Sequence, residues 1–540
     1  MKAWTIKGGF ELGALAKVRE RGFELASGAI LVFGLWLRIN GWLGHRISFW
    51  YDESMWAMRL LEKPLKELSI RPLGFMWLTR VFTDAFGPTE VWFRLLPALG
   101  ALASLALFPY VLSQLVQSKW LRLLGLLLFA IHPGLIDYAN EFKPYSWEVF
   151  MHLVPIALYL RYRQTNDARW FYGLLAFLPA GFLFAYNLAF VYPGMLLLCL
   201  YLAWRSSDKK KLVVLTLASG LLCAGTGAVV YKLALSNVTQ EEKTESYWGG
   251  KYGVFYEKSD ERSRVEWTLE KVSDMAAFVG IRRILWHQYG HMKERVAREL
   301  GSADRLFWIG MVAAGLVGLW KTRRDLLWVL VAPLIVVVLG NFVGKWPLGA
   351  FRTNLFIASY VIPLAVLGFQ YLATSERRGH LLAGLVLTVT LIPGFAYGFD
   401  LDGHKRIFTR DHYQRQIMAK LESYRKEQLA AEPGQKRLPL LLEPHTYSPY
   451  AYYTRHHPQL KAQYERFFAE NFAVSKVNPG TLTSGLKKQL RRHKRGMWIV
   501  SSGRAQLDRV ENAAERYGTV VIRERIADEH VILFLQPKRD

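Results

Sequence analysis

Three features of the 540-residue chain predict a mostly α fold, a polytopic membrane helix bundle with a C-terminal extracytoplasmic α/β domain. Apolar residues come in long blocks with almost no charge inside them. Short loops rich in Lys and Arg separate those blocks in alternation. After Asp400 the pattern returns to short strands and amphipathic helices.

The blocks come first. "LASGAILVFGLWL", "LPALGALASLALFPYVLSQLV" and "LLWVLVAPLIVVVLG" approach the roughly 20 residues that cross about 30 Å of hydrocarbon. The chain is 52% hydrophobic and 14% aromatic, yet its mean hydropathy is only +0.10, because polar stretches dilute the blocks. About eleven spans are predicted: Leu25–Leu43, Trp92–Val116, Leu121–Ile136, Trp147–Leu160, Trp170–Ala185, Leu188–Trp204, Leu212–Leu235, Leu306–Trp320, Leu326–Phe342, Leu355–Leu372 and Leu381–Tyr397. The first 24 residues are polar and mixed in charge, which is not the pattern of a cleavable signal peptide.

The loops set orientation. "RYRQTNDAR", "RSSDKKK", "KTRR" and "TSERR" fall on one side, with Lys2, Lys7, Lys17, Arg19 and Arg21 of the N-terminus. The positive-inside rule assigns that side to the cytoplasm. Three segments then lie outside: a first loop over about 45–90, a second over about 237–304, and residues 400–540 as a soluble domain beyond the 1–399 membrane domain. In that domain "RQIMAKLESYRKEQLA" has helical period, while "LPLLLE", "GMWIVSS", "TVVIRE" and "HVILFLQ" read as buried strands.

A formal net charge of +25 raises the question of nucleic acid. Its distribution answers no: the cations serve topology in short loops or face anionic lipid from the outer segments. Cys199 and Cys223 sit inside apolar runs, so neither a disulfide framework nor a zinc site is expected. No metal-ligand spacing is visible.

Candidate chemistry gathers at three outer turns. Asp52 and Glu53 follow the first span within "SFWYDESMWAMRLLEKPLKELSIRPLGFMWLTRVF". A carboxylate at a membrane surface would accept a proton from a hydroxyl; the plainer reading is that Asp52 caps the next helix. The stretches around Trp56 and Trp77 are predicted to lie in the interface. "HPGLIDYANEFKPYSWEV" puts Glu141, Lys143 and Tyr145 in one short turn, or merely a local ion pair with a belt tyrosine. "GKWPLGAFRTNLF" places Arg352 after a Pro-Leu-Gly turn, as a phosphate fork or as a snorkelling flank.

In order and sidedness these three stretches resemble the polyprenyl-phosphate-sugar-dependent glycosyltransferases of the GT-C superfamily, in the branch of protein O-mannosyltransferases, aminoarabinose transferases and Rgt-type galacturonosyltransferases. "RPLGFMWLTRVFTDAFGPTEVWFRLLPALGALAS" and the tail "LLLEPHTYSPYAYYTRHHP" share in it. One departure is Lys143, where the family usually has Arg; charge is kept and the bidentate fork is lost. The resemblance implies single-displacement, inverting transfer of a sugar from a polyprenyl phosphate to a glycan, lipid or protein acceptor outside the cytoplasm, without a cofactor. Asp52 would be the base, with Glu53 orienting the acceptor or a cation and Glu141 as a further acid. Arg352, with Lys143, Tyr145 or Arg71, would hold the donor phosphate. Arg282, Arg283 and His287 are weaker candidates on the second outer segment, which would close as a lid. A bacterial cell membrane is the expected site. A transporter would instead need ionisable residues in mid-span, and a sensor or scaffold would not need clustered acids and bases.

Overall fold

The computed structural model describes residues 8–43, 48–68, 71–233, 254–257, 260–279, 294–350, 352–373, 414–435, 437–477, 479–502, 504–526 and 530–538. The chain divides into two compact units, one of residues 1–40, 66–76 and 96–404, the other of residues 41–65, 77–95 and 405–540. Most of residues 45–90 thus fall in the same unit as residues 405–540.

Along the chain the helices are α1 Gly8–Leu43, α2 Tyr51–Glu62, α3 Leu73–Phe86, α4 Glu90–Phe93, α5 Leu95–Leu115, α6 Lys119–Ile131, α7 Pro133–Asp137, α8 Tyr145–Thr165, α9 Ala168–Phe182, α10 Tyr192–Arg205 and α11 Lys209–Leu233. There follow α12 Arg264–Ala276, α13 Glu294–Thr322, α14 Arg324–Phe342, α15 Ala358–Leu372, α16 Gln414–Ala431, α17 Pro444–Arg455, α18 Pro458–Asn471, α19 Pro479–Arg492 and α20 Arg504–Tyr517.

Ten of the predicted apolar runs lie on α1, α5, α6, α8, α9, α10, α11, α13, α14 and α15; Leu381–Tyr397 lies outside the described residues. Among the described residues five helical stretches are long and apolar enough to cross a membrane: Glu20–Ile39, Leu95–Leu115, Lys209–Leu233, Arg324–Phe342 and Arg352–Leu372, the last made of α15 and the turn before it. Local chemistry ends and starts these helices. Asn166, at φ 53°, closes α8 in the left-handed region, and Asp167 opens α9 by accepting the Arg169 N–H at 3.0 Å. Where α13 crosses α15, Gly315 and Gly368 let the backbones meet; a Cβ on either would run into the carbonyl of Leu364 or Met311.

The second unit holds a five-stranded sheet, β1 Leu438–Leu442, β2 Phe472–Lys476, β3 Met497–Ser502, β4 Gly518–Ile526 and β5 His530–Pro537, in the order β2-β1-β3-β5-β4. β1 pairs in parallel with β2 and β3, and β5 runs antiparallel to β3 and β4. One face, with Leu441, Ile499, Val531 and Leu533, packs with Leu486 and Leu490 of α19 and Val510 and Ala514 of α20. On the other face Trp498 stacks on Tyr424 of α16, ring centres 5.8 Å apart. β2 was not predicted: it is an edge strand with a largely solvent-facing pattern, so no apolar run marks it.

Candidate active site

In the first loop the structure separates the two adjacent carboxylates. α2 begins at Tyr51 with Trp50 as N-cap and no side-chain cap, so Asp52 is not a capping residue. It stands half-buried in the first turn, where the helix dipole favours a negative charge. Glu53 is 0% exposed and takes both bonds of the Arg94 fork, from Nε to Oε1 at 2.8 Å and from Nη2 to Oε2 at 2.6 Å. A carboxylate engaged at both oxygens ties the first turn of α2 to the C-cap of α4. Trp56, expected at headgroup level, is buried at 8% exposure, while Trp77 on α3 is 52% exposed; packing in the unit outweighs the belt preference at Trp56.

The same α4 carries Glu90, four residues before Arg94. Its Oε1 accepts from the Tyr453 hydroxyl at 2.8 Å, its Oε2 lies 3.1 Å from His457 Nε2, and Arg415 completes the group. Burial pushes the Glu90 carboxyl up, but His457 and Arg415 outweigh it and hold the pKa at about 2. These residues were missed in the sequence. The available signals were an acid and a base one helical turn apart just before an apolar run, and the aromatic-histidine string "YYTRHH".

In the first unit, the turn between α6 and α8 carries Glu141, Lys143 and Tyr145. α7 opens with the His132–Pro133 step, and His132 Nε2 lies 2.9 Å from the Phe278 carbonyl. Lys143 is 2% exposed, and its N–H donates to the Glu141 carbonyl at 2.7 Å. Tyr138 and Tyr145 meet edge to face at 5.0 Å. Burial, then Glu141, raises the Tyr138 pKa well above its ordinary value, with Arg352 opposing, so one buried phenol feels both side chains. Arg352 begins a 3-10 turn, Arg352–Ile357, that packs against α7 and α8. Asn354 shapes the approach: its Nδ2 donates to the carbonyls of Pro347 and Gly349, each at 2.9 Å, and its Oδ1 accepts from Trp346 Nε1 at 2.7 Å. Arg71 is buried and donates to the Leu68 carbonyl at 2.8 Å. The structure therefore brings Glu141, Tyr145 and Arg352 together. Arg282, Arg283 and His287 lie outside the described residues.

The first unit also buries the ionisable side chains of Glu148 and His152 on α8. His152 on α8 lies 2.8 Å from Tyr360 Oη and 3.1 Å from Asn187 Oδ1, and Glu148, one turn nearer the start of α8, adjoins Asn187. His152 also stacks on Phe356 at 4.2 Å, which ties α8 to the turn bearing Arg352. On α1, Arg38 is buried and donates to the carbonyls of Ala130 at 2.7 Å and Phe129 at 3.0 Å, closing the C-terminus of α6.

Residues 70–227 match the family model of the dolichyl-phosphate-mannose-protein mannosyltransferases. The GT-C resemblance is borne out by that match. Its bounds enclose Arg71, Glu90, Arg94, Glu141, Lys143 and Tyr145, with Asp52 and Glu53 before it and Arg352 after it. Among solved structures the chain is similar to ArnT from Cupriavidus metallidurans. The apo form shows 12% identity, a TM-score of 0.44, and coverage of 94% of this chain and 98% of that one. The undecaprenyl-phosphate-bound form shows 12% identity, a TM-score of 0.48, and coverage of 95% and 98%. An Archaeoglobus fulgidus oligosaccharyltransferase with zinc and sulfate shows 11% identity, a TM-score of 0.46, and coverage of 95% and 73%. No curated protein sequence matches the chain.

Proposed function

We propose that the chain is an inverting membrane glycosyltransferase that moves a sugar from a polyprenyl-phosphate donor to an acceptor outside the cytoplasm. The observation that carries this reading is the family match over residues 70–227, which encloses the turn bearing Glu141, Lys143 and Tyr145. In the reaction, Asp52 takes the proton of an acceptor hydroxyl as its oxygen bonds to the sugar C1. The C1–oxygen bond to phosphate breaks on the opposite face, which inverts the centre and releases polyprenyl phosphate. Arg352, Lys143 and Arg71 bind the phosphate and stabilise the charge it gains. Tyr145 and Glu141 shape the donor side of the turn. The chain crosses a bacterial cell membrane about eleven times, with residues 400–540 outside.

Buried Glu148 and His152 favour one competing reading, a transporter, since intramembrane ionisable groups mark transport paths. One experiment separates the two. The purified full chain is given undecaprenyl-phosphate-linked hexoses and aminopentoses, labelled in the sugar, together with membrane extract as acceptor source. Label leaving the lipid for a larger product supports transfer. Label that stays on the lipid, with flux of the donor across proteoliposomes, sinks it.

A further inference from the structure

We propose that Tyr453 on α17 is a positioning residue for the transfer, clamping the helix that carries Asp52; this rests on the role given to Asp52 above. The Tyr453 hydroxyl accepts the Phe49 N–H at 2.6 Å and donates to Glu90 Oε1 at 2.8 Å. One oxygen thus joins the strand-like lead into α2, three residues before Asp52, to α4. Phe49 is held on its other sides as well: its ring centre lies 4.9 Å from that of Tyr452, 5.5 Å from that of Phe93, and 5.0 Å from the Arg94 guanidinium carbon. Tyr452, the adjacent residue of α17, donates to the Pro88 carbonyl at 2.7 Å. At the far end of α2, His456 Nε2 lies 2.9 Å from Glu62. α17 and its C-cap therefore grip both ends of α2, and Glu53–Arg94 ties its first turn to the end of α4. Phe49, Tyr453 and Glu53 are each 0% exposed, so the clamp is a packed core rather than a surface contact. A general base gains its rate from placement within hydrogen-bond reach of its proton, and small displacements are costly. The C-terminal domain thereby serves catalysis by holding Asp52, not merely by standing beside it.

Tyr453→Phe tests this, since it keeps the ring and removes only the bridging oxygen. It is assayed as full chain with whichever undecaprenyl-phosphate sugar the parent turns over. The expected result is a kcat lower by about fivefold to thirtyfold with the donor KM within about twofold, and faster amide deuterium exchange across residues 49–62. Glu90→Gln, which keeps the acceptor's shape, replaces it if Tyr453→Phe does not accumulate. Parental kcat, or exchange that rises only within residues 438–537, would overturn the proposal. If the parent transfers no sugar at all, the functional reading fails, and exchange across residues 49–62 still decides whether the clamp exists.

Discussion

The α4–α17 network and the turn between α6 and α8 both concentrate polar side chains, but they are tied in opposite ways. In the network, partners stand 41 residues apart for Arg94 and Glu53, and 325, 363 and 367 apart for Glu90 with Arg415, Tyr453 and His457. In the turn several bonds are local, such as Lys143 N–H to the Glu141 carbonyl and Asn140 Nδ2 to the Ile136 carbonyl, beside a longer reach from His132 to Phe278. Long-range ties among buried charges fix tertiary structure, because breaking one strands its partner in a poorly solvating interior. Backbone ties such as the Lys143 N–H bond hold the turn whatever side chain stands there. Substitutions in the network should therefore cost fold, and substitutions in the turn should cost binding.

Asp52 breaks that division, for it stands on the scaffold unit and is half-buried. Asp52→Asn is expected to lower turnover by roughly two to four powers of ten with donor binding nearly intact. Its melting temperature should stay near the parent's, since an amide in the first helical turn loses only a dipole contact of about 0.3–1 kcal/mol. Single-turnover transfer alongside donor binding is the measurement; parental turnover would move the base to Glu141. Glu53→Ala should do the reverse one residue away. It leaves the Arg94 guanidinium buried without its carboxylate, at a cost of about 3–5 kcal/mol. Thermal melts should record the loss before any kinetic split is visible.

The pH dependence sharpens the same contrast. Glu90 falls from an ordinary 4.5 to about 2 in the folded protein. A carboxylate with a depressed folded value contributes stability that is complete above about pH 4.5 and is lost as pH falls toward about 2. The shift corresponds to about 3 kcal/mol. Melts between pH 6 and 3 should show a steeper acid-side loss for the parent than for Glu90→Gln. Parallel curves would mean the network contributes no such linkage.

Much of this was legible in the sequence for physical reasons. Apolar blocks specify helices locally; β1, β3 and β5 are buried runs that carry their own signal, and β4, at the sheet edge, shows in the sequence as a short β-branched run although little of it is buried. Asp52–Glu53 was conspicuous as a carboxylate pair beside a span. What could not be read was which of the two is buried, because that is decided by Arg94, 41 residues on. Glu90 looked like a loop end until His457 and Tyr453 arrived from the far end of the chain. Pairings across such separations leave no periodicity in one sequence. The Glu148–Asn187–His152 group was hidden for another reason: an isolated polar residue in an apolar run reads as dilution until its partner on another helix is known.

The smallest effects are expected in the turn itself, and they test whether its groups bind phosphate. Arg352 enters its 3-10 turn beside α7 and α8, with Asn354 holding the backbone before it. Asn354 keeps those bonds whatever side chain stands at 352, so Arg352→Ala should leave the fold in place. Losing a charge-assisted contact to a phosphate costs about 1.5–3 kcal/mol, roughly tenfold to a hundredfold in affinity for undecaprenyl phosphate. Arg352→Lys should recover only part of it, because a point charge replaces a planar fork. Lys143→Arg supplies the complementary case: it restores a fork where the chain carries an ammonium, and affinity should stay level or rise. Titration of the four proteins with undecaprenyl phosphate decides the matter. If Arg352→Ala and Arg352→Lys bind alike, the fork is not what recognises the lipid phosphate. If Arg352→Ala binds like the parent, the phosphate is held elsewhere, with Arg282 and Arg283 the next residues to replace.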